Sequence, residues 1–459
     1  MKWIVKLVAE PTPGHAVEQE IATLEREELI SPASVGLSIA EGKQILESLQ
    51  KQIVAMQVQH HNASLKSCFR CGKSFRTKGY YQSILRSVYG RVPMRVRRIR
   101  GCSCTGTQHR SSSTIFTHKY PITPELRYLT SKLAALLPFG KVNDFLSELL
   151  PLSAKMTTST VRNRTMKVGK RLAQSADELT AKPQREPCPE AVMGLDGAYV
   201  RSRHPRPERN FEVVVGKVLD GTGQMTRFAS VRNGSSDTVE TTRRALRQHG
   251  ADQNASASIT VLTDGDAGLR AVQRAVAPKA EHILDWFHLS MKFQNLQQVA
   301  KGINGLTDGA IRRHALEQLD RIKWHFWHGQ VERGLIGLAH LRQWAHARCF
   351  APMPAMEKLG KALLEMIHYL EGNADSLPNY GQRYREGRRI STGFAESAVN
   401  EIVAKRMTKS QQMRWNRYTV QLFLDVRVHV LNGTLEEAFR RWHKGFRPLP
   451  AQSNSAAAA

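Results

Sequence analysis

The stretch from residue 190 to 290 constrains the fold most. Four short apolar runs rich in β-branched residues stand there: Ala191-Val-Met-Gly-Leu-Asp-Gly-Ala-Tyr-Val, Phe211-Glu-Val-Val-Val-Gly-Lys-Val, Ile259-Thr-Val-Leu-Thr-Asp and Glu281-His-Ile-Leu-Asp-Trp-Phe-His. Their length and bounding turn residues predict strands, and Thr226 to Val231 predicts another. Asp237 to His249 and Leu269 to Val276 carry helical patterns. The order is three strands, helix, strand, helix, strand.

Other segments differ in character. Residues 1 to 60 are expected to form a helical arm, with Ile45, Leu49 and Ile53 on one face. Residues 61 to 120 form a basic module. No acidic residue lies between Lys51 and Pro124, and Arg91-Val-Pro-Met-Arg-Val-Arg alternates so that Val92, Met94 and Val96 share a face. Val88-Tyr-Gly-Arg is the turn expected between two strands. Residues 121 to 181 return to helix, with a start at Thr123-Pro124. Three short helices, the last carrying Arg162, Arg164, Lys167, Lys170 and Arg171, fit a helix-turn-helix DNA reader or plain packing. The Pro-rich Lys182–Pro189 reads as a linker. One domain then spans 190 to 445, with a helical insertion at about 290 to 385, before a disordered tail at 446 to 459.

Composition narrows the partners. Sixty-seven Lys and Arg against 40 Asp and Glu give a net charge of +27, which favours polyanions through counterion release. Double-stranded DNA is the expected partner. No run approaches the roughly 20 apolar residues of a membrane span. A cytoplasmic, nucleoid-associated protein that makes no membrane contact is expected. Cys68-Phe-Arg-Cys71 and Cys102-Ser-Cys104 together offer four thiolates for a Zn²⁺ ion, with His109 as a substitute ligand. The single residue inside the second pair departs from the usual two. Arg91, Arg95, Arg97, Arg98 and Arg100 would present guanidinium groups to phosphates or base edges. Lys405, Arg406 and Arg414 form a second basic segment, with Trp415 as a stacking or core residue.

Carboxylates stand at telling places. Asp196 interrupts an apolar strand, and a buried charge needs a partner or a metal. Asp264 ends a strand in Val261-Leu-Thr-Asp-Gly-Asp, with Asp266 as its rival or as the cap of the next helix. Glu396 lies on a helical pattern in Ser391-Thr-Gly-Phe-Ala-Glu-Ser-Ala-Val-Asn-Glu, with Glu401 as its rival. Carboxylates converging from separate elements suit Mg²⁺, and two such ions can serve both ends of a phosphodiester displacement.

The element order is that of an α/β ribonuclease-H-like core. Strand-Asp, strand-Asp and helix-Glu split by a helical insertion resemble the DDE transposases. Leu195-Asp-Gly-Ala-Tyr-Val, Leu262-Thr-Asp-Gly-Asp, Asp285-Trp-Phe-His288 and Gly393-Phe-Ala-Glu-Ser-Ala-Val-Asn resemble bacterial insertion-sequence transposases of the ISKra type, which are similar to the Mutator-like group. The resemblance implies a catalytic core preceded by a zinc-ribbon-like β module and a helical DNA-binding region. It implies Mg²⁺- or Mn²⁺-dependent cutting and strand transfer at element ends through Asp196, Asp264 and Glu396, by two ions. His288 would orient a phosphate or the scissile strand, or be an ordinary strand-end histidine. A homodimer or larger assembly on DNA is expected by analogy. The alternatives are a non-catalytic DNA-binding regulator and a ribonuclease-H-like nuclease.

Overall fold

Along Val5 to Glu10 burial alternates: Val5, Leu7 and Ala9 are half-buried, while Lys6, Val8 and Glu10 are exposed. That period of two suits a strand. The first part of the expected helical arm is therefore an antiparallel hairpin, β1 (Lys2–Thr12) and β2 (His15–Glu25). The helical expectation holds only for α1 (Ile39–Ser64). The structure is a computed structural model. It describes residues 1–12, 15–26, 32, 35–64, 66–68, 71–100, 121–152, 156–176, 190–204, 209–232, 237–251, 258–303, 308–347, 354–408, 413–446 and 448. Two units divide the chain, Met1–Val168 with Thr434–Ala459, and Gly169–Gly433.

In the first unit β3 (Arg76–Ser87) and β4 (Gly90–Arg100) form a second antiparallel hairpin, closed where Ser87 pairs with Gly90. Gly90 has φ 106°, a left-handed conformation that glycine adopts without a Cβ penalty. Val92, Met94 and Val96 share one face of β4 and are buried with Val54 and Val58 of α1. Arg91 and Arg95 alternate with them and are exposed. Three helices follow as expected: α2 (Pro124–Leu136), α3 (Phe139–Leu149) and α4 (Thr158–Gln174). The Thr123 side chain caps α2 by accepting from the Leu126 N–H, and Pro124 occupies its first position.

The second unit is built on a mixed sheet of β5 (Glu190–Arg201), β6 (Asn210–Asp220), β7 (Met225–Val231), β8 (Ser258–Thr263) and β9 (Glu281–Leu284). Its order is β7-β6-β5-β8-β9. β7, β6 and β5 are antiparallel neighbours, while β8 and β9 run parallel to β5. The crossovers use α5 (Thr238–Arg247) and α6 (Ala267–Val276). Leu246 and Leu269 from these helices bury Ala191, Met193 and Leu195 on one sheet face. The expected insertion is helical: α7 (Trp286–Lys301), α8 (Asp308–Trp327), α9 (Val331–Ala347), α10 (Pro354–Glu371) and α11 (Tyr380–Arg385). It shares a core with Leu262, Ile283 and Leu284 of the sheet. α12 (Gly393–Val399) runs into a wider π-helical segment, Asn400–Thr408, and α13 (Val420–Leu431) comes next.

The end of the chain departs from expectation. Helix α14 (Leu435–Trp442) belongs to the first unit, not to the domain expected over 190 to 445. Phe446, placed at the start of the expected tail, is buried, because Tyr128 packs against it at 5.3 Å and against Phe439 at 5.4 Å. The linker at 182 to 189 and the tail from 449 on lie outside the described residues. Among the described residues, no helix is long and apolar enough to cross a membrane.

Two glycine-to-alanine changes should have opposite effects. A Cβ at Gly169 would clash with the Leu422 carbonyl oxygen, a backbone atom that cannot turn aside, whereas one at Gly42 in α1 meets nothing within 4 Å. We expect Gly169→Ala to lower stability by about 1–3 kcal/mol. Gly42→Ala should be neutral or raise it by up to about 1 kcal/mol. Urea denaturation of each variant reads the difference.

Candidate acidic site

The parallel pairing of β5 with β8 ends at Gly194↔Leu262. Asp196 and Asp264 each stand two residues beyond that pair, on strands about 4.8 Å apart. They are therefore neighbours just past the end of the β5–β8 ladder, and both are half-buried. The turn after Asp264 needs Gly265, whose φ is +89° and whose Cβ would strike the Leu284 side chain at 2.8 Å. Asp264 Oδ1 accepts the Asp266 N–H at 2.9 Å, and the Tyr369 hydroxyl donates to the Asp264 carbonyl at 2.7 Å. Burial raises the Asp196 pKa, and the negative charges of Asp264 and Asp285 add to the rise; the Gly197 N–H and the His288 charge oppose it.

The next strand contributes Asp285, fully buried at the C-terminal end of β9. Its carboxylate caps α7 through the Phe287 N–H at 2.8 Å and meets His288 Nδ1 at 2.7 Å. It also accepts the hydroxyl of buried Thr392, just before α12. The hydrogen bond that His288 donates to Asp285 raises the His288 pKa against its burial, and the charges of Asp285, Asp196 and Asp264 raise it further. Asp196, within β5 just past the end of its parallel ladder, thus neighbours Asp264 and Asp285 at the C-terminal ends of β8 and β9, and the charges of all three act on His288.

Glu396 lies on α12, the helix that packs against β5 and β6, and is half-buried. Its rival Glu401 is taken up elsewhere. Arg227 Nε donates to it at 2.6 Å, and Lys217 Nζ, itself almost fully buried, lies 3.7 Å away. Burial pushes the Glu401 pKa up, but the Arg227 hydrogen bond and the two cationic charges outweigh it and leave it lowered. Asp266 is likewise engaged: it caps α6 through the Gly268 and Leu269 N–H groups and pairs with Arg232 at 2.9 Å. Among the described residues, no three His, Cys, Asp or Glu side chains stand close enough together to hold a metal ion. Asp196 and Asp264 alone offer hard oxygen ligands of the kind Mg²⁺ takes, since that ion often uses one or two carboxylates and completes its shell with water and phosphate.

The expected basic residues fare unevenly. Arg91, Arg95 and Arg98 are exposed on β4, while Arg97 is half-buried and donates to the Asn62 carbonyl. The Arg100 side chain lies outside the described residues. Lys405 and Arg414 are exposed. Arg406 cannot meet DNA as expected: it is 1% exposed, with its guanidinium 4.9 Å from the Phe423 ring and 5.6 Å from that of Trp415. Trp415 is core as well. In the cysteine module Cys68 is buried and Cys71 exposed. The Cys68 N–H bonds to the Lys73 carbonyl, and the Gly72 N–H to that of Cys68, a tight knuckle. Cys102, Cys104 and His109 lie outside the described residues.

Glu212, Thr392 and Tyr369 escape sequence reasoning. Glu212 Oε1 would stand 2.7 Å from a Cβ at Gly197, so the glycine beside Asp196 admits this second carboxylate. Arg232 holds it at 2.8 Å. The Asp-Gly pair is the available signal for close approach. Tyr369, 105 residues beyond Asp264, has none.

These contacts lead to two expected outcomes. Glu401→Gln should destabilise the protein by about 1–3 kcal/mol, because it strips Lys217 and Arg227 of a shared anion, whereas Glu396→Gln should leave the urea midpoint unchanged. The His288–Asp285 pair stabilises fully below the unfolded histidine pKa near 6.5, and this contribution fades as pH rises through the higher folded value. Asp285→Asn should lower the His288 pKa, monitored by NMR titration of the imidazole C–H signals.

No protein-family model matches the chain, and no curated protein matches it. Among solved structures, it is similar to the Drosophila P element transposase strand transfer complex, with a TM-score of 0.32 and 11% identity over 69% of this chain and 93% of that one. A likeness at that level does not establish a shared fold.

Proposed function

We propose that this chain is a DNA transposase that cuts and joins phosphodiester bonds with divalent metal ions. The observation that carries this reading is the position of Asp196 and Asp264, each two residues past the last pair of the parallel β5–β8 ladder, where the charge of Asp264 helps to raise the Asp196 pKa. Two half-buried carboxylates in that position favour a cation between them. A five-stranded mixed sheet with helical crossovers is compatible with the ribonuclease-H-like core this reading requires. The net charge of +27 suits a DNA partner.

On this reading, Asp196 and Asp264 would hold Mg²⁺ or Mn²⁺, and Glu396, on the helix packed against β5 and β6, would complete the set when DNA is bound. The metal would supply Lewis-acid stabilisation of the attacking and leaving oxygens. His288, held by Asp285 and exposed on one side, is placed to donate to a phosphate oxygen. Cys68, Cys71, Cys102 and Cys104 would bind zinc and stiffen the basic module whose Arg91, Arg95 and Arg98 face solvent. A homodimer on paired element ends and the ISKra-type assignment belong to the same proposal.

The test is metal-dependent cleavage and strand transfer on a duplex carrying the end of the element that encodes the chain. Asp196→Asn and Asp264→Asn should each lower the rate at least about 100-fold at unchanged duplex affinity, since several kcal/mol of transition-state stabilisation is at stake. Full activity in either folded variant would overturn the catalytic assignment. DNA binding without cleavage by the wild-type chain would favour a regulator, and cleavage without strand transfer a nuclease.

A further inference from the structure

The first unit contains a cavity of about 170 Å³ lined by Arg86, Arg91, Arg164, Thr157, Thr160 and Met156, among others. That is over ten times the roughly 15 Å³ that admits one water. No lining residue is acidic. The walls are fixed by backbone bonds. Arg86 exchanges hydrogen bonds with Pro121 and Thr123 at the start of α2, and the Asn143 side chain of α3 holds the Met156 N–H. Thr157 caps α4, accepting the Thr160 N–H at 3.2 Å, so the helix directs its positive end toward this region.

Arg164 is the anomaly. It is 7% exposed, its Nε meets no hydrogen-bond acceptor among the described residues, and its Nη1 meets the Met156 sulfur, a weak acceptor. Burial and the like charges of Arg86 and Arg127 pull its pKa down to about 10, so it stays charged at neutral pH. A buried guanidinium among other cations is costly unless an anion completes it.

We propose that this cavity is a phosphate-binding pocket, with Arg164 as its buried anchor, Arg86 and Arg91 beside it, and the Thr157 and Thr160 hydroxyls as further donors. A tetrahedral dianion satisfies several guanidinium donors at once. The phosphate is either that of a DNA backbone or a free inorganic ion. The pocket is independent of the acidic site and of the reaction proposed there.

Thermal unfolding of the full chain in sodium phosphate, against chloride at matched ionic strength, tests the pocket. Wild-type protein should gain stability in phosphate, and Arg164→Met should lose that gain. If Arg164→Met does not fold, the double variant Arg91→Ser with Thr160→Val should raise the phosphate midpoint at least about tenfold. Binding of a 20-base-pair duplex across a salt series separates the two sources. A backbone phosphate in the pocket predicts that the slope of log affinity against log salt falls by about 0.9 in the variant, and a free ion leaves it unchanged while phosphate protection is lost. Equal phosphate protection in wild type and variant, or none in wild type with an unchanged slope, overturns the proposal.

Discussion

The parallel ladder between β5 and β8 is the interaction on which the acidic site depends. Five registered pairs, Glu190↔Ser258 to Gly194↔Leu262, join segments nearly seventy residues apart. Parallel strands end on the same side of a sheet, so the residues just past their C-terminal ends are gathered into one place. Asp196 continues β5 past its partner, Asp264 opens the turn after β8, and Asp285 closes β9 one strand further on. Burial on both faces stabilises the ladder: Leu195 and Val261 pack against α5 and α6, and Leu262 and Leu284 against the helical insertion. The insertion thus supports the site as well as lengthening the chain, and Tyr369 from α10 reaches the Asp264 backbone directly.

Much of this is legible in the sequence because it is local. The strand runs between 190 and 290 are apolar on both faces, as a central strand must be, and the crossover helices carry clear periodicity. The Val92, Met94 and Val96 face of β4 can be read from alternation alone. The first 25 residues mislead because Trp3, Ile4, Leu7 and Val8 also satisfy a loose helical spacing; burial of alternate residues, set by pairing with β2, decides for strand. Arg406 misleads for a different reason. A basic residue in a basic run reads as solvent-facing, but the wide turns of the π-helical segment carry it inward over Phe423 and Trp415.

The choice between neighbouring acids shows the same limit. Asp264 and Asp266, and Glu396 and Glu401, are close in sequence and alike in composition of surroundings. What separates them is long-range. Glu401 is held by Arg227 and Lys217 from strands about 180 residues earlier, and Asp266 by Arg232 and two backbone N–H groups of its own helix. Both are already neutralised. No ion pair joins Asp196 or Asp264 to a cation among the described residues; His288, held by Asp285, acts on both through its charge.

This imbalance bears on the proposed chemistry. The chain as a whole carries +27, yet past the β5–β8 ladder the charges of Asp196, Asp264 and Asp285 all act on one imidazole, that of His288. Basic surface alone would draw a DNA strand toward the protein, while the acidic edge would repel its phosphates. A divalent cation reconciles the two, because it turns a repulsive edge into an attractive one at the point where a phosphate must be held. On the proposed reading the same charge balance explains why His288 is tied to Asp285 and not to Asp196. Pairing with Asp285 raises the His288 pKa and so favours the charged imidazole, without occupying the carboxylates needed as ligands, and leaves the ring partly exposed to the strand.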